Sequence, residues 1–391
     1  MEERENNLKF LLAEEQYKPV KIKVVGVGGG GGNAIDNLIE EGIEDVEFIA
    51  INTDYPDLIE TKAHIRYQIG KRLTKGQGAG SNPDIGRMAA EEDEETIREL
   101  IQGADILFLT CCLGGGTGSG ATPVIANIAS QMDILTIAVA IKPLKSEGIE
   151  KAKIAENALR KLKESVDILV PISNQRLVDF NPEKALTINE AFKLADSVLA
   201  KAVKGITEII RLKKRVNVDL ADLRTILKNR GIGIFGEGSG KGEDRVTQAL
   251  ESALGNPLYK GLNISGYKAG LVNIKCNNLT IQELDKIISF VRADADISAK
   301  FKYGLIDENN PPDEIGIFMV MAGFDEGVEE QIIVSDMIEE QQPKQLISII
   351  PVFEPTVPAV PPTPQTHSNL YEPAFMRKRR EKLTRLKNEK N

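Results

Sequence analysis

Three features of the 391-residue chain predict an α/β protein built on a doubly wound, mostly parallel sheet, with a long connecting helix, a second, smaller α/β domain and a disordered C-terminal tail. Short apolar runs alternate with helical patterns from Val20 to about Asp179. Two of those runs open into glycine-dense stretches, Gly26 to Gly32 and Gly114 to Gly120. Apolar residues then recur at steps of three and four from about Ile188 to Lys214.

Residues 1–20 are polar and acidic and read as a mobile arm. Strand candidates follow at Lys21–Val25, Val46–Asn52, Ile106–Thr110, Leu135–Ile141 and Ile168–Pro171. Helix candidates between them are Pro83–Ile101, Ala121–Gln131 and Glu147–Lys163, so residues 21–187 form a first domain with helices on both faces of a sheet. Residues 188–214 carry Phe192, Ala195, Val198, Leu199, Ala202, Val203, Ile206, Ile209 and Ile210 on one stripe. That helix would run roughly 40 Å and can join two domains. Residues 215–324 hold strands near Gly270–Ile274 and Ile315–Met321 and a helix near Ile281–Arg292.

The character changes after Phe324. Seven prolines between Pro343 and Pro364 keep residues 325–367 extended, with a random-coil spread of roughly 35–40 Å. Residues 368–391 follow, where an apolar patch at Leu370–Met376 sits in a basic tail: from Tyr371 onward there are eight Lys/Arg against three Glu.

Composition excludes several function classes. With 41% hydrophobic and 27% charged residues and no apolar run of bilayer length or apolar leader, the chain reads as cytoplasmic, without a transmembrane segment. A net charge of −9 argues against a nucleic-acid binder. Only His64 and His367 are available, so neither a histidine triad nor a zinc site is expected. Cys111, Cys112 and Cys276 lack metal-ligand spacing and read as small apolar core residues, with the adjacent pair on opposite faces of a strand.

The glycine stretches carry the chemistry. Five of seven residues from Gly114 to Gly120 are glycine and the other two bear hydroxyls, a composition that lets backbone N–H groups converge on an anion, with the next helix dipole behind them. Gly26 to Gly32 alone fits the GxGxxG fingerprint, which leaves a dinucleotide-dependent oxidoreductase open, and a tight strand-to-helix turn would also account for it. Two stretches about ninety residues apart fit phosphates gripped from two sides. Walker A is absent, since Gly240-Lys241 is followed by Gly242 and Phe235 stands where its first glycine would be.

GGGTGSG after a strand in a doubly wound domain resembles the signature of the tubulin/FtsZ superfamily of GTPases. The resemblance extends from Lys21 to Phe324 through IKVVGVGGGGGNA, FIAINTD, GQGAGSNPDIG, GADILFLT, NEAFKLADSVL and NVDLADLRTIL, in family order, and is nearest to the bacterial cell-division branch. It implies a GTP-binding domain at 21–187, a C-terminal polymerisation domain at 215–324, and a filament-forming, GTP-hydrolysing division protein that works with Mg²⁺ at mid-cell.

By position, the resemblance assigns Gly29, Gly30, Gly31, Gly32 and Asn33, with Gly116, Thr117 and Gly118, to the α- and β-phosphates. It assigns Gly78, Ala79 and Gly80 to the γ-phosphate, and Asn52 to the phosphate and metal region. Glu147 and Lys151 fall on the sugar side, where the family usually has arginine at the second position; lysine keeps the charge without the planar fork. Asn174, Phe192 and Asp196 match the base pocket. Phe192 also lies on the apolar stripe, so core packing would explain it, and Asp196 taken alone is a solvated helix acid.

Asn217, Asp219 and Asp222 read in isolation as a solvated turn with a helix cap. The resemblance instead implies that they enter the nucleotide pocket of the next subunit and polarise the attacking water, so that the chain's principal partner is itself, head to tail. It further implies that Pro373–Arg377 docks on a membrane-linked division adaptor. A paralogue that binds nucleotide without hydrolysing it is the other alternative.

Overall fold

The computed structural model describes residues 19–179, 187–211, 216, 218–255, 257–259, 264–306 and 313–334. The N-terminal arm up to residue 18, Asn217, and the whole of 335–391, including the adaptor segment, lie outside the described residues.

Among the described residues ten strands form one sheet: β1 (Ile22–Val27), β2 (Glu47–Asn52), β3 (Ile65–Gln68), β4 (Ile106–Cys112), β5 (Leu135–Lys142), β6 (Ile168–Ser173), β7 (Gly231–Lys241), β8 (Tyr267–Cys276), β9 (Ala295–Ile306) and β10 (Glu314–Ala322). Their order is β3-β2-β1-β4-β5-β6-β7-β10-β8-β9. Pairing is parallel from β3 to β7, antiparallel on both sides of β10, and parallel again between β8 and β9. The two halves meet where β6 and β7 share two parallel pairs, Ile168 with Gly231 and Leu169 with Ile232.

β1, β4, β5 and β6 are buried almost throughout, which is why they read as continuous apolar runs. The chain leaves β1 to one side for β2 and returns on the other for β4, so the switch point of the sheet lies between these neighbours. Ligands in such sheets sit at the carboxyl ends of the strands at that point, where both glycine stretches begin.

Several boundaries differ from expectation, and the start of the segment 325–367, expected to be extended, is a helix at Glu326–Val334, because Ile332 and Ile333 pack into the core before the proline-rich stretch begins. The helices begin inside the glycine runs, at Gly28–Glu40 and Gly116–Gln131, rather than after them. Only Gly28 (φ +74°) and Gly114 (φ +96°) in these runs need a left-handed backbone. Close approach accounts for others: a Cβ on Gly31 would lie 2.8 Å from Thr110 O, and one on Gly118 2.5 Å from Cys112 O. The helix expected over Pro83–Ile101 is two, Pro83–Glu92 and Glu94–Ile101, broken at Asp93. Asp93 turns its carboxylate to accept from Tyr67 Oη at 2.8 Å and from the Gly70 N–H at 2.7 Å.

The connecting helix runs over Ile188–Arg211, and its stripe is buried except at Phe192 and Ile210. Strand β7 escapes notice in the sequence because five of its eleven residues are glycine. A Cβ on Gly238 would lie 2.1 Å from Ala249 O, so these glycines let the helix Arg245–Leu254 lie close on the strand.

Candidate functional site

Two helix N-termini meet at the switch point. A Cβ on Gly28 would lie 3.1 Å from Gly118 N, so the first turn of one helix touches that of the other. Both turns present backbone N–H groups without side chains in the way, and their dipoles add, which suits a polyphosphate. Hydroxyls pin the arrangement: Thr53 and Thr117 share a buried hydrogen bond of 2.7 Å, Ser119 Oγ accepts from the Gly114 N–H at 2.9 Å, and Thr122 Oγ1 donates to Gly118 O at 2.6 Å.

Gly78, Ala79 and Gly80 cover this end. Gly78 and Gly80 take φ of +77° and +56°, and Ala79 packs so closely that a Cβ on Gly116 would lie 2.7 Å from its methyl. Asn52 closes β2 beside them, donating from Nδ2 to Asp57 Oδ2 at 2.6 Å while its Oδ1 accepts from the Asp54 N–H at 3.2 Å. Burial, then the charge of Asp54, pushes the Asp57 carboxyl up. Gly29, Gly32, Asn33 and Asn52 line a small cavity of about 180 Å³ here, whereas Gly31 is spent on packing between β1 and β4.

A larger cavity of about 400 Å³ extends from Gly30 and Asn33 to the connecting helix. Phe192 and Asp196, one turn apart, form its far wall with Asn174. Phe192 is 39% exposed, so its ring is a wall of the cavity and not part of the core stripe. Asp196 is only 6% exposed, and burial pushes its carboxyl up to about 6 although Asn37 donates to it at 2.6 Å. Asn174 is 1% exposed, and its Oδ1 has no hydrogen-bond partner among the described residues. A buried carbonyl without a donor, lining the same cavity as a buried carboxylate and an aromatic ring, suits a flat heterocycle with several N–H groups.

Glu147, at the end of the 3₁₀ turn Lys145–Glu147, lines the cavity and pairs at 2.9 Å with Lys151 of the following helix Ile149–Ser165; Lys151 is not among the lining residues. Asp219 caps the helix Leu220–Leu227 by accepting from the Asp222 N–H at 2.8 Å, and Asp222 pairs with Lys302 Nζ at 2.8 Å. Neither acid lines the cavity of its own chain. Among the described residues no group of three or more His, Cys, Asp or Glu could hold a metal ion, and no helix is long and apolar enough to cross a membrane.

Sequence reasoning missed Asn37 and Cys112. Asn37 lies four residues beyond Asn33 on the same helix, so the periodic spacing carried a signal. Cys112 was expected in the core, as Cys111 and Cys276 are, but it lines the cavity at the end of β4. Burial pushes its thiol up.

The family profile described as "Tubulin/FtsZ family, GTPase domain" matches residues 21–182, and that described as "FtsZ family, C-terminal domain" matches residues 231–325. "Cell division protein FtsZ" of Pseudomonas putida is 40% identical over 328 residues, 84% of this chain and 82% of its own. The chain belongs to the FtsZ family.

"Cell division protein FtsZ 1" of Thermococcus kodakarensis is 42% identical over 319 residues, 82% of this chain and 84% of its own. Among solved structures, the empty FtsZ dimer of M. jannaschii matches with a TM-score of 0.70 at 39% identity, covering 79% of this chain and 89% of that one. A GTPγS-bound protofilament of CetZ2 from Haloferax volcanii matches with a TM-score of 0.66 at 18% identity, covering 81% of this chain and 97% of that one, and shares the fold. Strand order β3-β2-β1-β4-β5-β6 is common to dinucleotide folds, so topology alone would have left the oxidoreductase open. Membership of the FtsZ family closes it: the protein is a tubulin-like GTPase of the cell-division cytoskeleton.

Proposed function

We propose that this GTPase binds GTP across the two cavities, with its phosphates at the two glycine-rich helix starts and its base between Phe192, Asn174 and Asp196. One pairing carries the reading: ionised Asp196 can accept from guanine N1–H and N2–H together, while the partnerless Asn174 carbonyl awaits a donor across the cavity. Adenine offers no such pair of donors on one edge. On this reading Glu147 and its partner Lys151 serve the sugar side.

Hydrolysis is then completed by a second copy. Asp219 and Asp222 lie off their own chain's cavity, which supports a head-to-tail contact in which the acidic loop of one subunit enters the nucleotide site of the next. Asn217 belongs to the same loop. The acids would orient and polarise the attacking water, and Mg²⁺ held by the triphosphate would offset the negative charge brought together there. Such a contact is heterologous and does not close on itself, so it builds filaments. Residues 21–187 would then serve as the nucleotide domain and 215–324 as the polymerisation domain.

The filaments would act in the cytoplasm at mid-cell, tethered through residues 335–367, beyond the packed helix Glu326–Val334, to an adaptor that grips Phe375 and Met376. Phosphate release from GTP, with ATP as control, over a protein dilution series tests the central claim. A turnover threshold that coincides with the onset of light scattering, with ATP inert, is expected. Constant activity per subunit far below that threshold would overturn the shared site.

A further inference from the structure

Strand β9 lies beside the acidic loop, and two contacts fasten them together. Val216 and Leu305 form an isolated antiparallel bridge, with the Leu305 N–H donating to Val216 O at 3.3 Å. Three residues earlier on the strand, Lys302 Nζ lies 2.8 Å from Asp222 Oδ1, and the charge of Asp219 also acts on it. The two acids are used differently. Asp219 turns back to cap its helix, whereas the Asp222 carboxylate pairs with Lys302.

Side-chain exposure is 50% for Lys302 and 28% for Asp222, so both reach whatever docks on the loop. An ion pair this open adds little to the stability of a lone protomer. Its value changes once the loop is covered, because water is displaced and the charges act at lower effective dielectric.

We propose that Lys302 is a positioning residue for GTP hydrolysis in the neighbouring subunit, aiming the Asp222 carboxylate and offsetting its charge at the contact. The proposal rests on the shared-site reading above. Two carboxylates approaching a triphosphate repel it and each other; one ammonium anchored on β9 offsets part of that repulsion and restricts Asp222 to one orientation. Lysine suits this role as a compact point charge on a flexible stem. It acts through Asp222, so its effect should vanish when Asp222 no longer carries a charge.

The test uses the full chain with Lys302→Met, Lys302→Gln, Lys302→Arg, Asp222→Asn and the double variant Lys302→Met with Asp222→Asn. GTP turnover per sedimented subunit is read with KM and the assembly threshold, and nucleotide binding by each protomer, at the opposite end of the contact, reports folding. Lys302→Met and Lys302→Gln are expected to slow turnover on the order of tenfold with KM within about twofold, Lys302→Arg to recover most of it, and the double variant to match Asp222→Asn alone. Wild-type turnover per assembled subunit in both neutral variants, a raised threshold with normal turnover, or losses that multiply in the double variant would each overturn the role of Lys302. Wild-type turnover in Asp222→Asn would instead overturn the shared-site reading beneath it.

Discussion

Asn37 Nδ2 donates to Asp196 Oδ2 at 2.6 Å across the junction of the first glycine-led helix and the connecting helix. The bond fixes one oxygen of a buried acid and leaves the carboxyl near pKa 6, because burial outweighs the donor. Ionised, the group can accept two hydrogen bonds from guanine; protonated, it cannot. GTP affinity is therefore expected to hold above pH 7 and to weaken by up to about tenfold per unit as the pH falls below 6. Titration calorimetry at several pH values measures this, and a flat profile from pH 5 to 8 would contradict the assignment.

The same acid costs stability when the pocket lacks ligand. Its folded pKa is raised from 3.8 to about 6, so the folded state holds the proton more tightly, and the deficit grows as pH rises from about 4 to 6 and is complete above that. Asp196→Asn should stabilise the nucleotide-free protein at pH 7 by up to about 3 kcal/mol while weakening GTP binding. Urea unfolding at pH 7 and pH 4 checks the sign, since the gain should disappear at the lower pH.

Phe192 separates a base platform from a core residue. Its ring is 39% exposed on the cavity wall, so Phe192→Ala should leave unfolding nearly unchanged and weaken GTP binding by about 1–3 kcal/mol. A large loss of stability with unaltered affinity would return the ring to the core.

Such residues show where the sequence was legible. Buried parallel strands announce themselves as unbroken apolar runs, and the glycine stretches mark the switch point, so the place where the two helix starts meet could be read directly. Phe192 could not be assigned from periodicity, because a ring on a buried stripe and a ring at its edge share the same spacing. Strand β7 was hidden by glycines whose purpose lies in the helix packed on them. Asp93 broke an expected helix through bonds to Tyr67 and Gly70, more than twenty residues away in sequence. The pairing of Lys302 with Asp222 joins residues eighty apart and follows only from the register of β9 beside the loop.

Gly118 tests whether the phosphate end depends on close packing. A Cβ there would lie 2.5 Å from Cys112 O, a backbone atom that cannot swing aside. Gly118→Ala should push the helix start away from β4, lowering stability by about 1–3 kcal/mol and GTP affinity with it. Equal affinity for GTP in the variant and the parent protein would show that the amides do not grip the phosphates.

A shared site makes a prediction that a self-contained enzyme does not. Asp222→Ala spoils the loop and keeps the nucleotide cavity, whereas Phe192→Ala with Asp196→Ala spoils the cavity and keeps the loop. Each variant alone should be nearly inactive. In an equimolar mixture, about a quarter of head-to-tail contacts would set an intact cavity of the first against an intact loop of the second, and turnover should return toward that fraction of the parent rate. Phosphate release from the mixture, compared with the sum of the separate samples, reads the outcome. If mixing adds nothing while the two proteins co-sediment, the acids act on nucleotide held by their own chain.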